Sequence, residues 1–221
     1  MSQVTLPSGT AAELVRPSDG REPSQGLVVI PDIGGLRALF TTMAQRIADE
    51  RGWAVGVFEP WGAEPAPPTL EERLAGVKDL TDEDLLGDAV ATADALGVAP
   101  VGIIGFCLGG MFTLKAAGTG RFHRAAGFYG MIRVPDMWRS DAIGEPLDAL
   151  ARPEACPALA IIGTVDRWTP PEDVDDLEAA GVTVVRYEGA DHGFVHDADR
   201  PVHRADDAAD AWRRALDFVS A

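Results

Sequence analysis

Short apolar runs alternate along this chain with longer segments in which apolar residues recur every three or four positions. The short runs are bounded by Gly, Pro and polar residues, a pattern typical of strands that are buried on both faces of a sheet. They predict strands over residues 26–30, 53–58, 101–104, 125–129, 158–162 and 182–187. The longer segments predict helices over residues 36–51, 81–96, 108–118, 172–180 and 205–219.

The order of these elements predicts the fold class. Strands that alternate with helices form a mostly parallel sheet with helices on both faces. Near the N-terminus, runs at 4–6 and 11–15 flank the turn-like sequence P-S-G-T, which predicts an antiparallel hairpin at one edge of the sheet. The length of 221 residues fits a single α/β domain over residues 1–221.

Two proline-containing segments, 60–80 and 131–157, show neither the strand pattern nor the helix pattern. Each follows the carboxyl end of a predicted strand, which is the edge where ligands bind in such sheets. They either connect elements or shape the mouth of a substrate site. Trp61 and Trp138 lie in these segments, and each either lines that mouth or anchors the packing of its loop.

The charge of the chain argues against anionic partners. It carries 35 acidic and 19 basic residues, for a formal net charge of −16. Nucleic acids and anionic membranes are bound by clustered Lys and Arg, so we predict no nucleic-acid and no membrane partner. We find no apolar run of about 20 residues and no secretory signal pattern, and we expect a cytoplasmic protein that is a monomer or a weak homodimer.

The two cysteines, Cys107 and Cys156, are not part of a C-x-x-C pair. A metal knuckle or a dithiol redox site is therefore not predicted. A reducing compartment would keep Cys107 as a free thiol.

Cys107 lies in the sequence G-F-C-L-G at 105–109, between a predicted strand and a predicted helix. This is the nucleophile elbow of an α/β-hydrolase, with sulfur in place of the usual serine oxygen. Gly105 and Gly109 permit the tight turn, and the helix N-terminus favours a thiolate and a developing oxyanion. The motif predicts Cys107 as the nucleophile of an acyl-transfer reaction.

A histidine and an acid must follow the nucleophile along the chain, in the order acid, then histidine. Of the four histidines, His192 fits best because it follows the predicted strand 182–187 and precedes Gly193; His196 is the remaining candidate. Asp166 follows the predicted strand 158–162 and would orient the imidazole, unless it is only a turn residue. We expect the Leu108 N–H to bind the oxyanion, with a second donor from the loop after strand 26–30, for which Ile33 is the candidate.

The three motifs together resemble the dienelactone hydrolase family. They are G-F-C-L-G-G at 105–110, Asp166 in G-x-x-D-x-x-x-P, and A-D-H-G-F at 190–194. The resemblance implies a Cys107–His192–Asp166 triad that hydrolyses a lactone or small ester without a metal or cofactor. It also implies that Asp32 stands where the member acting on dienelactone has a thiol-activating glutamate.

The resemblance further implies two arginines that grip a substrate carboxylate. His196 stands at the position of one of them, and Arg73 is the nearest residue available for the other, so this grip is expected to be weak or absent. We expect substrate contacts from a further set of four residues, Trp61, Tyr129, Phe194 and His196.

Three other interpretations compete with an ester or lactone hydrolase. Cys107 could be an oxidisable sensor thiol on a binding module, because an accessible thiolate oxidises readily. The same fold could serve a thioesterase or transacylase. A metal site at His192 and His196 is the least favoured, because that spacing suits a helix and Gly193 favours a turn.

Overall fold

The computed structural model describes residues 2–220, which form one sheet of eight strands. The strands are β1 (Ser2–Thr5), β2 (Ala11–Val15), β3 (Gly26–Ile30), β4 (Ala54–Phe58), β5 (Val101–Phe106), β6 (Arg124–Phe128), β7 (Ala158–Gly163) and β8 (Thr183–Tyr187). Their order across the sheet is β1-β2-β4-β3-β5-β6-β7-β8. Strands β3 to β8 run parallel, and β2 runs antiparallel to both β1 and β4.

Seven α-helices lie within the described residues. They are α1 (Ala38–Arg51), α2 (Leu70–Gly76), α3 (Asp82–Ala95), α4 (Leu108–Ala116), α5 (Pro146–Leu150), α6 (Pro171–Ala179) and α7 (Ala205–Phe218). Short 3₁₀ turns follow α2 and α4, and a third covers Asp136–Trp138. Within residues 2–220, no helix is long and apolar enough to cross a membrane.

The core lies in two layers, one on each face of the sheet. On β3, Val28 and Ile30 belong to the layer that also contains apolar residues of α3, α4 and α6, whereas Leu27 and Val29 belong to the layer that contains those of α1 and α7. Every residue of β3 is buried, because successive side chains point to opposite faces and both faces are covered. This two-sided burial explains why the central strands read as continuous apolar runs in the sequence.

The predicted mostly parallel sheet, the helices on both faces and the N-terminal antiparallel pair are confirmed. The ends of each predicted strand and long helix lie within two residues of those observed. Helices α2 and α5 were not predicted, and they lie in the two segments that showed no pattern. Helix α2 has seven residues and α5 has five, which is too short for a repeat of apolar positions to be visible.

Candidate active site

Cys107 lies on the turn between β5 and α4. Its φ of 56° and ψ of −117° are values that a residue with a side chain rarely adopts. Its N–H donates to the Phe128 carbonyl at 3.0 Å, and its own carbonyl accepts from the Met111 N–H at 3.0 Å. A Cβ at Gly105 or Gly109 would overlap backbone atoms. The two glycines therefore let α4 begin directly above the sheet, with Cys107 at its N-terminus.

His192 and Asp166 meet at the same edge of the sheet, from the loops after β8 and β7. His192 Nδ1 lies 2.8 Å from Asp166 Oδ2, and the Asp166 side chain is 0% exposed. The second carboxylate oxygen accepts from the Trp168 N–H at 2.9 Å. This hydrogen bonding places a proton on Nδ1 of the ring. The other ring nitrogen, Nε2, is buried and has no nitrogen or oxygen partner among residues 2–220.

The charge state of His192 depends on both neighbours. Burial opposes protonation of the ring, but the hydrogen bond to Asp166 and the interaction with Cys107 outweigh it and raise the pKa of His192 to about 10. An anionic neighbour is what favours the charged form of an imidazole. The buried Asp166 carboxylate and the Cys107 side chain therefore both favour the protonated form of the His192 ring.

The backbone N–H groups of Leu108 and Ile33 have no acceptor within the described part of the chain. Leu108 is the first residue of α4, so its N–H has no intrahelical partner. Ile33 lies on the loop after β3 and lines the same cavity as Cys107. These are the two residues that the sequence predicted as oxyanion donors, and that role stays a prediction.

A cavity of about 580 Å³ contains Cys107 and His192 in its wall, together with Asp32 and Ile33. The remaining lining residues form an apolar wall and a charged rim; they are Gly34, Leu70, Leu74, Met131, Trp138, Trp168, Arg37, Arg167, Asp197 and Arg200. The Trp138 and Trp168 rings stack with their centroids 5.6 Å apart. A small molecule with apolar and polar parts fits such a site.

The sequence model of the Dienelactone hydrolase family matches residues 10–221. The chain belongs to the dienelactone hydrolase family. It is 29% identical to the carboxymethylenebutenolidase of Rhodococcus opacus over 87% of this chain and 79% of that protein. These matches confirm the family that the sequence motifs predicted. They also confirm the α/β-hydrolase fold and the predicted class of enzyme, a lactone or ester hydrolase.

Solved structures agree with this membership. A crystal structure titled "Putative Dienelactone Hydrolase", from Klebsiella pneumoniae, superposes with a TM-score of 0.83 and 26% identity over 99% of this chain and 97% of that one. A dienelactone hydrolase-like promiscuous phosphotriesterase from metagenomic libraries has the same fold, with a TM-score of 0.74 and 22% identity over 99% and 96% of the two chains.

The resemblance to the family implied a thiol-activating role for Asp32, and the structure shows which residues its carboxylate binds. Its Oδ1 accepts from Arg37 Nη1 at 2.6 Å and from the Gly34 N–H at 2.8 Å, and its Oδ2 accepts from Arg37 Nη2 at 3.0 Å and interacts with His196 Nε2 at 2.8 Å. Although burial opposes ionisation, the hydrogen bonds to His196 and Arg37 keep the pKa of Asp32 well below its usual range. None of the hydrogen bonds found for Asp32 within residues 2–220 goes to Cys107.

His196 and Tyr129 lie behind the wall of the cavity. His196 Nδ1 hydrogen-bonds the Tyr129 hydroxyl, and burial, only partly offset by Asp32, lowers the pKa of His196. The fully buried Tyr129 ring packs edge-on against the His192 ring, with 5.1 Å between centroids. Both residues were expected to contact the substrate, but their side chains are buried and do not line the cavity that holds Cys107.

Phe194 and Trp61 are also placed away from the cavity that holds Cys107. Phe194 is fully buried against Tyr129 and Tyr187. Trp61 lines a different cavity, and its indole N–H donates to the Ile33 carbonyl. Trp138, in contrast, lies in the cavity wall, which is one of the two roles that the sequence left open for it.

Sequence reasoning did not find the arginines of the cavity rim. Arg37, Arg167 and Arg200 all line the cavity, whereas Arg73, the residue weighed for a carboxylate grip, does not. Arg167 directly follows Asp166, and proximity to the predicted acid was the one signal that could have identified it. Arg37 and Arg200 stand in no motif. Within residues 2–220, no group of three or more His, Cys, Asp or Glu side chains is placed so that it could hold a metal ion.

Proposed function

We propose that this protein hydrolyses a lactone or small carboxylic ester through an acyl-enzyme on Cys107, with His192 as acid and base and Asp166 as its orienting carboxylate. The observation that carries the proposal is the buried Asp166–His192 hydrogen bond, joined to the effect of Cys107 on the His192 ring. A relative named carboxymethylenebutenolidase supports a lactone as one substrate class. The substrate is a small molecule that fits the cavity of about 580 Å³.

Acylation begins from the thiolate–imidazolium pair. The Cys107 sulfur attacks the carbonyl carbon, and the electron pair of the C=O bond moves to the oxygen, which the Leu108 and Ile33 N–H groups stabilise. When the tetrahedral intermediate collapses, the C–O bond of the ester breaks, and His192 gives its Nε2 proton to the departing alkoxide. From a lactone, that alkoxide stays attached to the acyl group as the hydroxyl of the opened ring.

Deacylation uses the same groups in reverse. Neutral His192 takes a proton from water, and the resulting hydroxide attacks the thioester carbonyl. Collapse of the second intermediate breaks the C–S bond, which releases the carboxylic acid and restores the thiolate. Asp166 stabilises the imidazolium at both stages and keeps its Nε2 directed at the reacting atoms.

Thiolate formation in this account does not require a carboxylate on the sulfur. The four lone-pair positions of Asp32 are used by Arg37, Gly34 and His196. The imidazole of His192 and the N-terminus of α4 are sufficient sources of positive potential for the sulfur. We therefore assign to Asp32 the role of fixing the loop after β3, with its charge balanced by Arg37.

The proposal is tested by assaying wild type, Cys107→Ala and Cys156→Ala on small lactones, aryl esters and thioesters. Because the acyl bond forms on one sulfur, Cys107→Ala is expected to lose roughly a thousandfold or more in kcat/KM on every accepted substrate. Cys156→Ala, which lies outside the cavity, is the matched control and keeps wild-type rates. Retained activity in Cys107→Ala would refute the mechanism, and activity on thioesters alone would instead support the thioesterase alternative.

A sensor thiol is less favoured by the position of the second cysteine. Cys107 follows the carboxyl end of β5, whereas Cys156 precedes the amino end of β7, at the opposite edge of the sheet. A strand of this length spans roughly 20 Å, and the Cα atoms of a disulfide lie within about 7 Å. Cys156 therefore cannot act as a resolving cysteine for Cys107 without large movement of the fold.

A further inference from the structure

The carbonyl oxygen of Ile33 accepts two side-chain hydrogen bonds. One comes from Trp61 Nε1 at 3.0 Å and the other from Arg73 Nη1 at 3.1 Å. Both donors lie in the segment between β4 and α3, far along the chain from the loop after β3. Together the two donors fill both lone pairs of this carbonyl oxygen. Trp61 and Arg73 therefore fix the orientation of the Ile33 carbonyl from a separate segment of the chain.

The peptide planes on both sides of Ile33 are held in place. The Asp32 carbonyl, which shares a peptide unit with the Ile33 N–H, accepts from the Gly35 N–H at 2.9 Å. The Ile33 carbonyl, in the next peptide unit, is held by Trp61 and Arg73. The Ile33 N–H, which belongs to the first of these two planes, donates to no other residue of the described chain.

A half-buried carboxylate fixes the other side of the same loop. Glu59 follows β4, and its two oxygens accept from the Leu36 N–H at 3.0 Å and the Trp61 N–H at 3.1 Å. A Cβ at Gly35 would lie only 2.6 Å from Glu59 Oε1. Glu59 thus places the Trp61 backbone next to the loop that the Trp61 indole holds.

Arg73 makes a bridge rather than a substrate contact. Its Nε donates to the Pro67 carbonyl at 2.7 Å, while Nη1 reaches Ile33, and its side chain does not line the cavity. Its neighbours on α2, Leu70 and Leu74, do line it. The guanidinium therefore ties the segment that forms one wall of the cavity to the loop that carries the Ile33 N–H.

We propose that Arg73 and Trp61 are positioning residues for the oxyanion hole, and that they act by holding the Ile33 carbonyl so that the adjacent N–H keeps its place. The inference rests on the proposed function, in which that N–H stabilises the oxyanion. An oxyanion donor is effective only when it is fixed before the charge develops, within about 0.5 Å of its productive position. A loop of this length with two glycines would not hold that position by itself.

The test compares two reactions of the same sulfur in Arg73→Met, Trp61→Phe and wild type. Acylation by an aryl ester develops an oxyanion, whereas alkylation by iodoacetamide displaces iodide from a CH₂ group and develops none. Each variant is expected to lose roughly 10- to 100-fold in kcat/KM for the ester, mostly in kcat, because one oxyanion donor is misplaced. Alkylation of Cys107 should stay within about twofold of wild type, since its geometry does not involve Ile33.

Two further variants sharpen the comparison. Arg73→Lys keeps a donor within reach of the carbonyl and is expected to recover part of the lost kcat. Arg16→Met is the matched control, because Arg16 also donates to a backbone carbonyl, that of Leu96 at 3.0 Å, at the opposite edge of the sheet. It should acylate and alkylate at wild-type rates.

Two results would overturn the inference. In one, Arg73→Met and Trp61→Phe acylate as fast as wild type; in the other, acylation and alkylation fall by the same factor, which would show a general disturbance of the fold. Failure of the proposed function looks different, because Cys107→Ala would then hydrolyse the ester at the wild-type rate before any loop variant is measured.

Discussion

Two interactions set the charge of the His192 ring, and both come from residues distant from it in sequence. Asp166 accepts from Nδ1, and the Cys107 side chain also favours the protonated ring. Together they raise the pKa of His192 to about 10 against the effect of burial. The imidazolium is therefore the dominant form at neutral pH. Because the pKa of His192 is raised in the folded state, protonation of this ring stabilises the fold. That contribution is complete below the usual histidine pKa of about 6.5 and is lost as the pH rises through about 10.

The contribution of Cys107 to that pKa can be measured. Cys107→Ser replaces an ionisable thiol with a hydroxyl that stays neutral, so the pKa of His192 should fall below its wild-type value. An NMR titration of the ring nitrogens between about pH 5 and pH 11 would follow it. Cys156→Ser is the control and should leave the titration of His192 unchanged. The same His192 titration in wild type and Cys107→Ser would mean that the sulfur carries no charge next to the ring.

The residues of the proposed triad could be named from the sequence because each stands in a local motif whose order along the chain is characteristic of the fold. The partners of Asp32 could not. Its contact with His196 joins residues 164 positions apart and depends on the side-chain conformations of both. Arg37 stands five residues away from Asp32, but nothing in the sequence shows that its guanidinium turns toward that carboxylate. Such contacts depend on tertiary packing, which periodicity does not describe.

At the scale of elements, the site depends on how closely α4 approaches the sheet. Gly109 lies directly against the backbone of β3 and its following residue, where a Cβ would overlap the carbonyl oxygens of Ile30 and Pro31. This approach places the N-terminus of α4 above the strand ends, next to the loop that carries Ile33. The glycine pattern of the motif therefore has a packing cause as well as a conformational one.

Two glycine-to-alanine substitutions separate packing from helix propensity. Gly109→Ala should lower the free energy of unfolding by about 2 kcal/mol or more, because the added methyl group has no room. Gly87→Ala, in the interior of α3 with no atom within 4 Å of the added methyl, should raise it by about 0.5–1 kcal/mol.

Urea denaturation of both variants measures the two changes. A stable Gly109→Ala protein with an unchanged unfolding midpoint would contradict the close approach of α4 to β3.

Elements could be predicted from the sequence in proportion to their length and burial. The strands β3 to β7 are fully or almost fully buried, so their apolar runs are unbroken and their ends are marked by Gly and Pro. Helix α2 gave no periodic signal, although its first residues form a capping box between Thr69 and Glu72. It supplies both the wall residue Leu74 and the bridging residue Arg73, so the part of the site that depends on α2 was also the part that the sequence did not predict.

At the scale of the whole molecule, the two cysteines lie at opposite edges of the sheet. The loops after β3, β5, β7 and β8 bring the candidate catalytic groups to one edge, while Cys156 lies at the other. Burial raises the pKa of Cys156 to about 11, so its thiol is almost entirely protonated at neutral pH. The expectation of a monomer or weak homodimer stays a prediction, and so does the cytoplasmic location.

The central claim is that a single sulfur carries the acyl group during turnover. Rapid acid quench of the wild-type protein during hydrolysis of an aryl ester, followed by peptide mass spectrometry, tests this directly. We predict an added mass equal to the acyl group on the peptide containing Cys107 and none on the peptide containing Cys156. Turnover at full rate with no acyl group on Cys107 at any quench time would contradict the account.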